Sequence, residues 1–125
     1  MKLVIAMMFA GGVGALLRYG CVRLFACSGV EFPWGTWVVN ILGAFVAGAA
    51  FVFCRAKWPA ETFWVPVFFV GFLGAFTTFS TFALESVQFL MAGEYRKFVF
   101  NLVLQNASGV GAVFGGMVLA KFLLR

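Results

Sequence analysis

The 125-residue chain is 64% hydrophobic and 10% charged, with a mean hydropathy of +1.06; this excludes an ordinary water-soluble domain and identifies an integral membrane protein. Its formal charge of +5 comes from nine Lys and Arg set against four acids. Scattered between apolar runs, these charges read as topological signals and headgroup contacts rather than a nucleic-acid surface.

A bilayer core of about 30 Å takes about 20 apolar residues per helix. The chain therefore divides into a single domain of four transmembrane helices, over about 3–26, 35–53, 64–91 and 98–124, with short connectors. Met1 and Lys2 before an apolar run imitate a signal peptide, but apolar character continues past Gly14, so the run reads as the first span. Gly11, Gly12, Gly14 and Ala15 give this span a smooth packing face. Arg18 interrupts it, and so far from the interface it either snorkels or pairs inside the protein.

A loop from Ser28 to Trp34, closed by Pro33, leads to the second span, with Trp34 and Trp37 as interface anchors. There Asn40, Ala44 and Gly48 recur at i, i+4 and i+8, a polar amide on a small-residue face that must turn away from lipid. Arg55, Lys57, Trp58 and Pro59 mark the next connector. Pro66 is tolerated in the first turn of the third span, where its missing N–H would be unpaired anyway.

Gly71 to Phe82, G-F-L-G-A-F-T-T-F-S-T-F, is the most unusual stretch. Four of the five residues from Thr77 to Thr81 carry hydroxyls. In a regular helix Thr77, Thr78, Ser80 and Thr81 would share one face and Phe76, Phe79 and Phe82 the other, with Glu85 extending the hydroxyl face. The clustered threonines and the preceding Gly71 and Gly74 weaken the helix, so a break or distortion is expected here. After a loop over Ala92 to Lys97, the fourth span carries Asn101, Gln105 and Ser108 as a polar row, beside a ladder of Ala107, Gly111 and Gly115 suited to close helix contact.

With four spans, one side of the membrane holds Lys2, Arg55, Lys57, Lys121 and Arg125, and the other Arg18, Arg23, Arg96 and Lys97. Five against four gives the positive-inside rule almost no bias, which points to insertion in both orientations and an antiparallel homodimer. A single orientation set by these few charges is the alternative.

Cys21, Cys27 and Cys54 lack metal-ligand spacing and read as buried, inert thiols. Histidine is absent, the only acids are Glu31, Glu61, Glu85 and Glu94, and neither a G-x-S-x-G nor a phosphate-loop motif occurs, so no catalytic residue is expected. Transport is better supplied. Hydroxyls and amides at Asn40, Ser80, Thr81 and Ser108 could replace the water around a small ion. Phenylalanine ring edges carry positive partial charge and could face an anion, although spacing alone favours packing for Phe79 and Phe82. A proton-coupled multidrug exporter of four spans is the rival. It needs a membrane-embedded carboxylate, whereas the first span has none and Glu85 lies toward the end of the third. A purely structural subunit is a third reading.

G-A-L-L-R-Y at Gly14 to Tyr19, G-T-W-V-V-N at Gly35 to Asn40 and the Gly71 to Phe82 stretch together resemble the Fluc (CrcB) family of fluoride channels. The resemblance implies an antiparallel, dual-topology homodimer in the cell's inner (plasma) membrane, with two pores that export fluoride passively. By matching position, Phe79 and Phe82 would line each pore and Asn40 would donate its amide to fluoride. Ser80 and Thr81 would form or support the hydroxyl side, with Ser108 as the fourth-helix hydroxyl; a one-residue shift would bring Gly109 there. Backbone carbonyls of Gly74 and Thr77 from both subunits would hold a structural Na⁺ at the dimer axis. Arg18 would stand at a vestibule and favour anion entry.

Overall fold

The computed structural model describes residues 1–26, 31–57 and 62–125. Cys27, Ser28, Trp58, Pro59 and Glu61 lie outside the described residues. All regular structure within them is helical: α1 (Lys2–Ala26), α2 (Trp34–Lys57), α3 (Trp64–Pro66), a π-helical stretch (Val67–Leu73), α4 (Gly74–Phe76), α5 (Phe79–Met91) and α6 (Tyr95–Leu123). The pieces from α3 to α5 make one interrupted span, Trp64–Met91, so four apolar helices are long enough to cross a membrane.

Two ends differ from the sequence expectation. The second helix continues past Phe53 to Lys57, placing Arg55 and Lys57 in its last turn, where cations meet the negative end of the helix dipole. The fourth begins at Tyr95 rather than near Phe98 because the preceding turn is tight. Gly93 has φ +75°, and Gly93 N–H bonds to Leu90 O (3.1 Å) while Glu94 N–H bonds to Phe89 O (2.9 Å). This is a Schellman closure, in which glycine takes the left-handed position at no steric cost. Lys97, inside the helix, then reaches Glu31 (2.5 Å) and Glu94 (2.6 Å).

Close approach explains which glycines matter. On α1, a Cβ at Gly14 would overlap the Phe72 carbonyl and one at Gly11 would meet Gly71 O at 3.5 Å, whereas Gly12 faces open space. The smooth face of α1 thus packs on the π-helical stretch, and Arg18, one turn beyond Gly14, continues that face toward the interruption. Between α2 and α6, Gly48 lies against the Val113 backbone and Gly116 against the Phe45 backbone. The expected ladder of Ala107, Gly111 and Gly115 is not that contact. Ala107 and Gly111 are exposed, because the α6 face carrying Asn101 and Gln105 continues through Gly116 and Ala120, away from the ladder.

The interior is correspondingly polar. Thr36, Thr78, Ser86, Asn101 and Gln105 are buried alongside Val39, Val67, Leu73, Phe76, Phe82 and Ala120, while large apolar side chains cover the outside. That inversion suits a lipid environment, where apolar surface has no cost outside and polar groups need protein partners.

Candidate functional site

The third span breaks at two residues in extended conformation, Thr77 (φ −83°, ψ 160°) and Thr78 (φ −148°, ψ 105°). The hydroxyls of the run are largely spent on closing the two helix ends. Thr77 Oγ1 donates to Leu73 O (2.9 Å) at the end of α4. Thr78 Oγ1 caps α5 by accepting from Thr81 N–H (3.3 Å). It also stands 2.8 Å from Thr81 Oγ1 and 3.5 Å from Ser80 Oγ. The π-helical stretch before the break, where Gly74 N–H bonds back to Phe69 O, has no counterpart in the periodicity of the sequence.

Asn40 holds the break open. Its Oδ1 accepts from Thr78 N–H (2.8 Å), while Nδ2 donates to Thr78 O (3.1 Å) and to Gln105 Oε1 (3.3 Å). One side chain on α2 therefore satisfies both backbone groups of an interrupted residue and ties them to α6. In a continuous helix Thr78 N–H would bond to Gly74 O and Thr81 N–H to Thr77 O. Both donors are engaged elsewhere, so these two carbonyls leave the helical ladder. Arg18 Nη1 donates to Thr77 O at 3.3 Å, so of the two alternatives for this arginine the structure has the pairing one.

Beside the break lies a groove of about 420 Å³ whose lining includes Asn40, Gly74, Thr77, Phe79, Phe82 and Gln105. Phe82 is 6% exposed and Phe79 76%, with ring centroids 5.6 Å apart at 64°, an edge-to-face pair. Phe76, grouped with them by helical spacing, sits across the break and stacks on Phe72 (5.9 Å, 3°). The extended Thr77–Thr78 link turns α5 out of phase with α4, so the single Phe face expected of a regular helix is split in two.

Ser80, Thr81, Ser108 and Arg18 do not line this groove. Ser80 and Thr81 belong to the hydroxyl cluster at the start of α5. One turn further, Glu85 accepts from Thr36 Oγ1 (2.6 Å), and its Oε2 is buried without a partner. Glu85 and Thr36 line a second cavity of about 380 Å³ with Glu31, Gln88 and Trp34. The Lys97 hydrogen bond and charge hold the Glu31 carboxyl below the usual carboxylate range, so it is an anion at neutral pH. Ser108 accepts from Trp37 Nε1 (3.0 Å) and donates to Leu104 O, so it ties α2 to α6.

Sequence spacing places Gln105 only in a polar row. In the structure its Oε1 completes the Asn40 contact, and its Nε2 is buried without a partner, as is Asn101 Oδ1 one turn earlier. Each such group costs about 1–3 kcal/mol unless something pairs with it. The signal available in the sequence was the i, i+4 spacing of Asn101 and Gln105 within an otherwise apolar span.

Residues 5–117 match the family described as CrcB-like protein, Camphor Resistance (CrcB). The chain belongs to the CrcB family. Among its relatives in that family, a fluoride-specific ion channel FluC of Legionella pneumophila (strain Lens) is 38% identical over 122 residues, covering 96% of this chain and 90% of that protein. Proteins of the same name are 41% identical in Desulforapulum autotrophicum (91% and 92% covered) and 42% identical in Aeromonas salmonicida (87% and 88% covered). The three stretches that resemble CrcB proteins, distant in sequence, meet at one junction: Arg18 on Thr77 O, and Asn40 on Thr78 N–H and O. Family membership and four membrane-crossing helices make this a multi-pass membrane protein.

Proposed function

We propose that the chain is a passive, fluoride-selective channel acting as an antiparallel, dual-topology homodimer with two pores in the cell's inner membrane. One observation carries the reading: the Asn40-clamped break lies beside the Phe79–Phe82 pair in a groove supplied with amide groups, in a chain whose relatives are named fluoride-specific ion channels. Fluoride is small and strongly hydrated, so a path must offer replacement donors without a full counter-charge that would trap it. Ring edges and amide N–H groups meet that demand.

A second copy is supported by the near-even charge count and by Phe79, which stands largely exposed beside the groove and would be covered by a partner of opposite orientation. The carbonyls of Gly74 and Thr77 suit a hard cation in donor type, since both leave the helical ladder and their residues border the groove. Na⁺ held between two copies would supply positive charge there; Arg18 already does so for Thr77 from one side. Export needs no energy source, because one charge moving down a membrane potential gains about 2.3 kcal/mol per 100 mV. The proton-coupled exporter is disfavoured by the channel name of the relatives.

Purified protein in liposomes tests this. Fast fluoride efflux without a proton gradient, with chloride excluded, is expected. Equal passage of chloride, or a strict requirement for a proton gradient, overturns it.

A further inference from the structure

Away from the break, a second groove of about 340 Å³ opens between the end of α2 and the start of the third span, lined by Ala50, Phe53, Cys54, Lys57 and Phe68. Its four α2 positions fall at i, i+3, i+4 and i+7, so they form one stripe about 10 Å long that ends in the last turn of the helix. The walls are apolar throughout. Lys57 therefore lends the groove its aliphatic stem, and its exposed ammonium stands at the mouth. Trp64, 57% exposed and four residues before Phe68, belongs to the same end of the bundle and suits the headgroup level.

The acids distinguish the two ends more sharply than the basic residues do. The end with both termini has five basic residues and one acid, Glu61, whereas the other has four basic residues and three acids, Glu31, Glu85 and Glu94. Lys97, at that other end, is engaged by two carboxylates. Among the described residues no carboxylate pairs with Arg55 or Lys57, and Arg55 lies over the Phe51 ring at 5.7 Å. We propose that this groove is a site for one anionic phospholipid per chain, which lays an acyl chain against Phe53 and Phe68 and sets its phosphate beside Lys57. Apolar walls alone would not choose among lipids, since any acyl chain fills them. The unpaired cation at the mouth supplies the choice. No residue is shared with the groove beside the break, so the inference does not rest on what that groove conducts.

Native mass spectrometry of the full-length protein in detergent, titrated with dioleoyl phosphatidylglycerol or dioleoyl phosphatidylcholine, varies the headgroup while the chains stay the same. The wild type is expected to keep one phosphatidylglycerol per chain and to lose phosphatidylcholine at the same concentration. Lys57→Gln should lower phosphatidylglycerol retention about fivefold, the attraction that one basic residue contributes at an anionic lipid surface. Ala50→Leu, which fills the groove and leaves the charge in place, should also lower it. Lys121→Gln, at the same end but outside the groove, should stay within about twofold of wild type on that scale. Equal retention of the two lipids overturns the proposal, as does wild-type retention in both Lys57→Gln and Ala50→Leu. A fall in Lys121→Gln as large as that in Lys57→Gln overturns it in favour of general headgroup attraction. Retention of neither lipid overturns it too, and is the result expected if a second copy of the chain covers the groove.

Discussion

Replacing Asn40 by alanine removes three hydrogen bonds at once and reports on what keeps the third helix broken. Bonds inside membrane proteins average about 0.6 kcal/mol and in soluble proteins about 1–1.5 kcal/mol. The three contacts to Thr78 N–H, Thr78 O and Gln105 Oε1 therefore contribute about 2–4.5 kcal/mol. Part of that loss is recovered if Thr78 N–H returns to Gly74 O and the helix closes. Asn40→Ala is therefore expected to lower stability by less than the full sum and to abolish efflux, because a closed helix takes the Gly74 carbonyl back and moves Phe79 and Phe82 relative to the groove. Amide hydrogen exchange at Thr78 distinguishes the outcomes. Slow exchange in the variant, coupled to lost efflux, matches a healed helix. Asn40→Asp, which keeps the acceptor for Thr78 N–H but has no donor for Thr78 O, should retain the break, with Gln105 turning its NH₂ toward the carboxylate. An Asn40→Ala protein with wild-type efflux and a stability change under about 0.5 kcal/mol would refute the clamp.

Phe79→Ile keeps apolar bulk but removes the ring edge, and should cut fluoride efflux while the dimer, tracked by size-exclusion chromatography, stays intact; undiminished efflux would leave Phe79 as packing. Gly48→Val drives a side chain into the Val113 backbone and should cost about 1–3 kcal/mol or more through overpacking, read as loss of folded protein in a thermal melt. Ser108→Ala removes the acceptor of the Trp37 indole and should cost about 1 kcal/mol with efflux close to wild type, since Ser108 does not line the groove; a large efflux defect would put Ser108 on the anion path. A C-terminal topology reporter should read both compartments at similar levels, and a one-sided signal would defeat dual insertion.

Much of the fold was legible because lipid imposes a simple rule. Apolar runs near 20 residues mark spans, and Thr, Gly and Ser crowded in one run mark a weak place in a helix. What the periodicity could not supply was the direction of each face. Ala107, Gly111 and Gly115 form as good a small-residue ladder on paper as Gly48 and Gly116 do in space, but only the latter press on a neighbouring helix backbone, while Gly115 alone of the ladder comes near the Phe45 ring. Small residues record that something can come close, not which helix does. The π-helical stretch was invisible for a similar reason: an i→i+5 turn changes the phase of the residues downstream of it without needing any particular side chain.

The site shows the same division between kind and arrangement. Hydroxyl density at 77–81 rightly signalled an interruption, but as evidence for ion contacts it was diluted, because Thr77 and Thr78 use their hydroxyls to close helix ends. Any break in a membrane helix must satisfy freed backbone groups locally, so hydroxyls are expected there whether or not an ion passes. The groups that escape this demand are informative instead. Asn40 does not escape it, being committed to Thr78 and Gln105. Gln105 Nε2, Asn101 Oδ1 and Glu85 Oε2 do, each buried and unpaired. A polar atom left without a partner in a lipid-embedded interior is costly to keep, and that cost, rather than the abundance of polar residues nearby, separates the groups that build the break from those not used in building it.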